Sequence, residues 1–416
     1  MSANGAKREW QATKLGIVGI GTTLNTAAMQ KAIDVVAKRG GRAIVFDEGR
    51  YLTGAITLKS GVMFHLKRGA VILGSTNPRD YYIKEVEEGR QEKGDHQKDK
   101  SSTSDVKSRN DNSHLALISA FRAEGIGVCG EGTVNGQGTQ LALNIDSLHH
   151  TGEWIDPNYN TRRQRPNETM RPKLFFLDEC SGISICGVHL EGSACWGLSM
   201  ERCNNVVLRN LDIFNRAYWN NDGIDVSDSR DVVIKHCKIN SADDGICLKS
   251  YHVDDVSDSI CIDSCSIESS ASAVKFGTAS WGTFRNITIR NINVRNTFRS
   301  AIAIESVDGA QIENILVENI TAQNVGNAIF LRLGQRSGDR KGCLRNVILR
   351  NINAEIAFGR PDIDYDLRGP EPNFFHNPLP SVIAGIPENR ICDVILEDIT
   401  ISCPGRASKA MVYIPL

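Results

Sequence analysis

The sequence predicts an all-β chain, a right-handed parallel β-helix forming one domain over residues 1–416 and closed at its N-terminal end by a helix. Three observations predict it. A short strand–bend–strand template recurs from residue 183 onward, a further short apolar run follows it in each repeat, and the composition suits strands. Hydrophobic residues make up 41% and aromatic residues only 6%, so the core must be built from Ile, Val, Leu and Ala.

The template is visible in "VVLRNLDI" (206–213), "VVIKHCKI" (232–239), "ITIRNINV" (287–294), "ILVENITA" (315–322) and "VILRNINA" (347–354), apolar at the first, third, sixth and mostly the eighth position. Alternation marks two short strands, and the polar step between them marks a bend. Asn210, Asn291, Asn319 and Asn351 stand at that step, where an amide tolerates left-handed geometry and can bond its copies above and below. The second run reads "GIDV" (223–226), "GICL" (245–248), "AVKF" (273–276), "AIAI" (301–304) and "AIFL" (328–331). In that register Ile224, Val226, Ile246, Leu248, Val274, Phe276, Ile302, Ile304, Ile329 and Leu331 point inward. The residue before each run then forms one column: Asp222, Asp244, Ser272, Ser300, Asn327. Asp222 and Asp244 fall on adjacent rungs, about 4.8 Å apart along the stack.

Residues 1–44 supply an N-terminal strand and the capping helix. In "LNTAAMQKAIDVVAKRGG" (24–41), Leu24, Ala28, Ala32 and Val36 recur at helical spacing, Asn25 is the expected N-cap and Gly40 the stop. Residues 62–73 and 126–138 read as less regular early coils. The polar stretch 84–112 cannot pack a core and is expected outside the stack, as are 334–342 and the Pro-rich loop 359–380.

Charge and composition exclude some functions. With 48 basic against 49 acidic residues the net charge is -1, which gives no field for nucleic acid or an anionic membrane surface. No apolar run of about 18 residues spans a membrane, and the first residues lack the apolar core of a secretory leader. The expected location is extracellular or periplasmic if a leader has been removed, and cytoplasmic otherwise. Of the 12 cysteines, Cys237 and Cys265 fall where neighbouring segments carry Val188, Leu211 and Ile292, so they read as small core residues and not as a disulfide framework.

The chemistry concentrates in residues 220–250, "NNDGIDVSDSRDVVIKHCKINSADDGICLKS", where Asp222, Asp243 and Asp244 converge. Stacked carboxylates repel when ionised, so at least one pKa must rise. A cation site or Asx turns are the plainer explanations for such acids. The coil period, "NNDGIDV" and "CKINSADDGICLKS" resemble the polygalacturonases of glycoside hydrolase family 28, pectin-degrading parallel β-helices whose signatures run Asn-Thr-Asp-Gly and Gly-Asp-Asp-Cys. The resemblance runs from "TLNTAAMQKAIDVVAKRGGRAIVFDEGRYLTGAITLKSGVMFHL" through "GEGTVNGQG" and beyond. It implies that Asp243 is the general acid, that Asp222 and Asp244 hold and activate water, and that the bond is cleaved by a single inverting displacement. The expected partner is a polysaccharide or oligosaccharide, with no metal and no cofactor.

The departures from the family pattern bear on specificity. The family's Gly-His-Gly falls on Ala271-Ser272-Ala273, so Ser272 stands for the histidine; its Arg-Ile-Lys, which grips a uronate carboxylate, falls on Ala303-Ile304-Glu305. Glu305 would repel a uronate there. Lys249, Lys275 and Arg332 are the candidates to compensate, Asn220 to orient a neighbour, and Trp281, with Tyr218 and Trp219, to stack on sugar rings. Plain polygalacturonan is therefore expected to be a poor substrate. Two rival readings stand beside hydrolysis: a uronate lyase holding Ca²⁺ on the acids with Lys275 as base, and a β-helix that binds glycans without cleaving them.

Overall fold

The computed structural model describes residues 9–82, 114–161, 163–358 and 380–404. The stretch 84–112 falls outside these residues, as does all but the last position of 359–380. In the middle of the stack each coil contributes three short strands, each paired in parallel with its counterpart one coil on, and from residue 283 the strands of a coil run together, as in Thr283–Ser306 and Gln311–Leu333. Asn204–Arg209, Asp212–Asn215 and Ile224–Ser227 lie against Arg230–Lys235, Lys238–Ser241 and Ile246–Ser250 in turn. The stack begins earlier than the repeats suggest, because Glu9–Gln11 pairs in parallel with Arg42–Phe46. All ten residues predicted to point inward from the second run join one continuous buried core. Cys237 and Cys265 are buried in it, and all 12 cysteines carry free thiols.

The bends are left-handed, as the amides foretold: Asn210, Asn291, Asn319 and Asn351 have φ of 54°, 56°, 57° and 50°. Asn319 donates to Asn291 at 3.1 Å and Asn351 to Asn319 at 2.7 Å. A second ladder that the template did not disclose joins Asn346, Asn314 and Asn286, again through left-handed residues. The corner geometry and the amide ladder support one another, since the residue that tolerates φ > 0 is also both donor and acceptor.

The cap helix spans Thr26–Lys38 and buries Met29, Ala32, Ile33 and Val36. Two details of the cap differ from expectation. Leu24 precedes the helix and is exposed, and Asn25 does not bond the first turn; its amide exchanges two hydrogen bonds with Val18, at 2.7 and 2.9 Å, tying the incoming chain down. Gly40 ends the helix with φ of 87°. A further helix, Gly138–Thr151, had no strand-period signal to announce it and adds Leu141, Ala142 and Ile145 to the core. Among the described residues no helix is long and apolar enough to cross a membrane.

Candidate active site

The register that sets Ile224 opposite Ile246 also sets Asp222 opposite Asp244 two residues earlier, and the column continues through Ser272, Ser300 and Asn327. Gly223 and Gly245 sit between each acid and its strand. A side chain at Gly223 would meet the Gly245 carbonyl oxygen at 2.5 Å, so only glycine lets the rungs approach here. Asp222, Asp243 and Asp244 present carboxylate oxygens all within 4.8 Å of one another, at the wall of an open cavity of about 190 Å³.

Each acid has different company. Lys275 Nζ lies 2.9 Å from Asp244, whose other oxygen accepts the Ser272 amide at 3.0 Å. Burial opposes ionisation of Asp244, but the Lys275 and Arg299 charges outweigh it, and the carboxyl is held below the usual carboxylate range. Lys249 Nζ lies 3.2 Å from Asp222 and closer still to Asp225, a fully buried acid in the same "GIDV" run. Asp222 is raised well above the usual range, first by burial and then by the Asp225 charge, with Lys249 opposing. Asp243 is half-buried, opens onto the cavity, and accepts a hydrogen bond from the Asp244 amide at 3.0 Å. Among the described residues no cation pairs with it. Burial, then the Asp244 charge, push its carboxyl up.

The surrounding residues came from three distant segments. Lys249 Nζ stands 3.4 Å from the centre of the Trp196 ring, on which Lys173 also sits at 4.4 Å. Lys173 is buried, and desolvation lowers its pKa to about 8. Asn220, left-handed at φ 54°, lines the cavity and accepts from the fully buried Arg171 at 2.8 Å. Arg171 also holds the Ala194 and Trp219 carbonyls at 2.7 and 2.6 Å, binding the loops that carry Trp196 and Asn220 into one piece.

The structure thus gathers Asp222, Asp243, Asp244, Asn220, Lys249 and Lys275 around one cavity, with Ser272 contributing its backbone amide. It changes the part expected of both lysines. They do not present free ammonium groups to a substrate; each is largely buried and pairs with carboxylates. Glu305 and Arg332 face each other on adjacent rungs outside the cavity wall, Arg332 exposed. Trp281 is buried and lines a separate groove with Arg340 and Lys341, so it does not reach the acids. Asp225 was legible as an outward-facing acid between two inward apolar residues. Arg171 and Trp196 carry no local signal, because only the folding of two loops onto the coil brings them in.

A family model described as glycosyl hydrolases family 28 matches residues 92–355. A probable polygalacturonase of Vitis vinifera is 24% identical over 250 residues, which cover 56% of this chain and 43% of that protein. The chain spans less than half the length of the first curated relatives it matches. Among solved structures, a hyperthermoactive exopolygalacturonase from Thermotoga maritima superposes with a TM-score of 0.64 at 20% identity, covering 85% of this chain and 82% of that one. A family 28 exopolygalacturonase of Yersinia enterocolitica also gives 0.64, at 17% identity, covering 97% and 76%. At those identities the likeness establishes the fold, a pectin-lyase-like right-handed parallel β-helix.

Proposed function

The chain belongs to glycosyl hydrolases family 28, and from that premise we propose that it hydrolyses a glycosidic bond in a pectic glycan, with Asp243 as proton donor and Asp244 as the carboxylate that activates water. The observation that carries this reading is the unequal treatment of neighbouring acids. Asp244 is held below the ordinary carboxylate range by Lys275 and Arg299, while Asp243, with which no described cation pairs, is pushed up by burial and by the Asp244 charge. A donor and a base side by side are what hydrolysis of a sugar linkage requires. Asp222 helps hold the water, and the Asp225–Lys249 pair behind it sets its charge.

The same lysine argues against a lyase. Burial alone would lower the pKa of Lys275, but the Asp244 charge outweighs it and raises the group, the wrong direction for a base that must take a proton from carbon. Ammonium groups also already sit on Asp222 and Asp244, where Ca²⁺ would need their oxygens.

Family resemblance favours inversion. Retention is the second reading, because one oxygen of each of the three carboxylates lies within 4.8 Å of the others, a crowding that also allows a carboxylate to act as nucleophile. The anomer released first, followed by proton NMR, decides between them.

For the substrate, Ala303 and Glu305 remove the basic pair, and Lys249 and Lys275 are occupied by acids, so a chain made only of uronates fits poorly. A mixed or modified pectic chain fits better. Lost charge-assisted contacts cost roughly 2–4 kcal/mol. Homogalacturonan, rhamnogalacturonan-type oligosaccharides and neutral side-chain oligosaccharides should be compared at equal molarity. Homogalacturonan emerging best by about tenfold would refute the assignment.

A further inference from the structure

Among the described residues three pairs of thiols stand directly opposite each other on adjacent rungs: Cys129 and Cys186, Cys180 and Cys203, Cys237 and Cys265. The last two pairs are buried in the core, each residue at most 2% exposed. Cys129 and Cys186 are half-buried instead, in an outward column between the exposed His65 and the exposed Arg209. Neighbouring strands lie about 4.8 Å apart, inside the roughly 4.4–6.8 Å over which a disulfide joins two Cα atoms. One hydroxyl touches both sulfurs, Ser184 Oγ lying 3.8 Å from Cys129 Sγ and 4.0 Å from Cys186 Sγ. A glycine follows each cysteine, Gly130 and Gly187, both at positive φ, and a side chain at Gly187 would meet the Gly130 carbonyl oxygen at 2.4 Å. The two rungs are therefore close-packed beside the thiols.

We propose that Cys129 and Cys186 are an oxidation site, closing a reversible disulfide between their rungs when a peroxide reaches them, and that this clasp steadies the excursion lying between them. The Cys129 thiol is pushed up to about 12, by burial first and then by its contact with Cys186, so it keeps its proton and the attack falls to Cys186. The Cys186 sulfur bonds one peroxide oxygen, the O–O bond breaks, and the other oxygen leaves as water with the thiol proton, giving a sulfenic acid. The Cys129 sulfur then displaces the sulfenic oxygen, which leaves as a second water with the Cys129 proton. The two thiols lose two electrons and two protons, and one hydrogen peroxide becomes two waters. Residues 129 and 186 bracket the helix Gly138–Thr151, the turn Glu168–Met170, whose Glu168 lines the acid cavity, and Arg171, which holds Asn220. A link at the base of that excursion ties its two ends together and restricts the unfolded chain. Neither thiol lines the acid cavity, so the clasp does not depend on the hydrolase reading.

The test uses the full chain, reduced and then treated with a small excess of hydrogen peroxide, its remaining thiols alkylated and its peptides mapped by mass without reduction. A Cys129–Cys186 linkage is expected, while Cys180, Cys203, Cys237 and Cys265 stay free. Thermal unfolding should move up by at least about 3 °C and return with dithiothreitol. Cys186→Ser and Cys129→Ser should each abolish the linkage and the rise, whereas Cys237→Ser should keep both, each variant being compared with its own reduced form. Oxidation of Cys129 and Cys186 without a linkage, linkage of a buried pair in preference, or a Cys129–Cys186 linkage that leaves the unfolding temperature unmoved overturns the proposal.

Discussion

Of the columns of stacked side chains along this solenoid, two are served oppositely by the same rung spacing. At one corner Asn291, Asn319 and Asn351 stand above one another in solvent, Asn351 donating to Asn319, Asn319 to Asn291, and Asn291 to the Asp263 carboxylate. At the other, Asp222 and Asp244 stand on adjacent rungs in a buried wall. Amides are donor and acceptor at once, so repetition helps them. Carboxylates are acceptors only, and repetition forces either protonation or a countercharge. The acid column ends after two rungs, with Ser272 next, and each acid in it carries a lysine. The amide column needs no such help. The contrast teaches that stacking is a structural device at one corner and a source of chemical tension at the other.

The largest effect on this contrast should come from Lys275→Met, which leaves Asp244 in its buried place without the ammonium group that pairs with it. A loss of about 3–5 kcal/mol in unfolding free energy at neutral pH is expected. The pH dependence should also change sign. In the native protein Asp244 is held below its unfolded value, so its contribution is present above the ordinary carboxylate range and is lost as pH falls through the lowered value. In the variant burial dominates, stability falls as pH rises through the ordinary range, and acidification recovers part of it. Urea titrations at acid and neutral pH measure both.

Next in size, Asp243→Asn should lower kcat by at least about a hundredfold with KM largely kept, because it removes a proton delivered only in the transition state. The same change should leave the fold intact or slightly firmer, since it relieves a carboxyl that burial and Asp244 disfavour. Near-normal turnover would remove Asp243 from the donor's place. In the unmodified enzyme the rate should rise with pH through a value below the ordinary carboxylate range, as Asp244 ionises, and fall through one above it, as Asp243 loses its proton.

The smallest effect belongs to the amide corner. Asn319→Ala should cost about 1–2 kcal/mol, combining two lost hydrogen bonds with a strained left-handed alanine, and Asn319→Gly should cost less, because only the bonds are lost. Thermal unfolding of the pair separates the two contributions.

What was legible in the sequence follows from the same spacing. Alternation fixed which side of each strand faces in, and equal steps between repeats fixed which residues share a column, so the core, the left-handed corners and the Asp222–Asp244 stack could be read directly. Alternation says nothing about where a long side chain bends, and so Lys249 and Lys275, rightly placed outside the core, were expected to face sugar and instead fold back onto acids. Arg171, Trp196 and Arg336 reach the cavity from loops whose paths no repeat dictates.

The central claim is that these acids deliver one proton and one activated water. It is tested most directly by cleavage of a rhamnogalacturonan-type oligosaccharide in water enriched in heavy oxygen, with the products read by mass and ultraviolet absorbance. The account predicts one heavy oxygen at the new reducing end and no absorbance from an unsaturated uronate. An unlabelled product that carries that absorbance would contradict it.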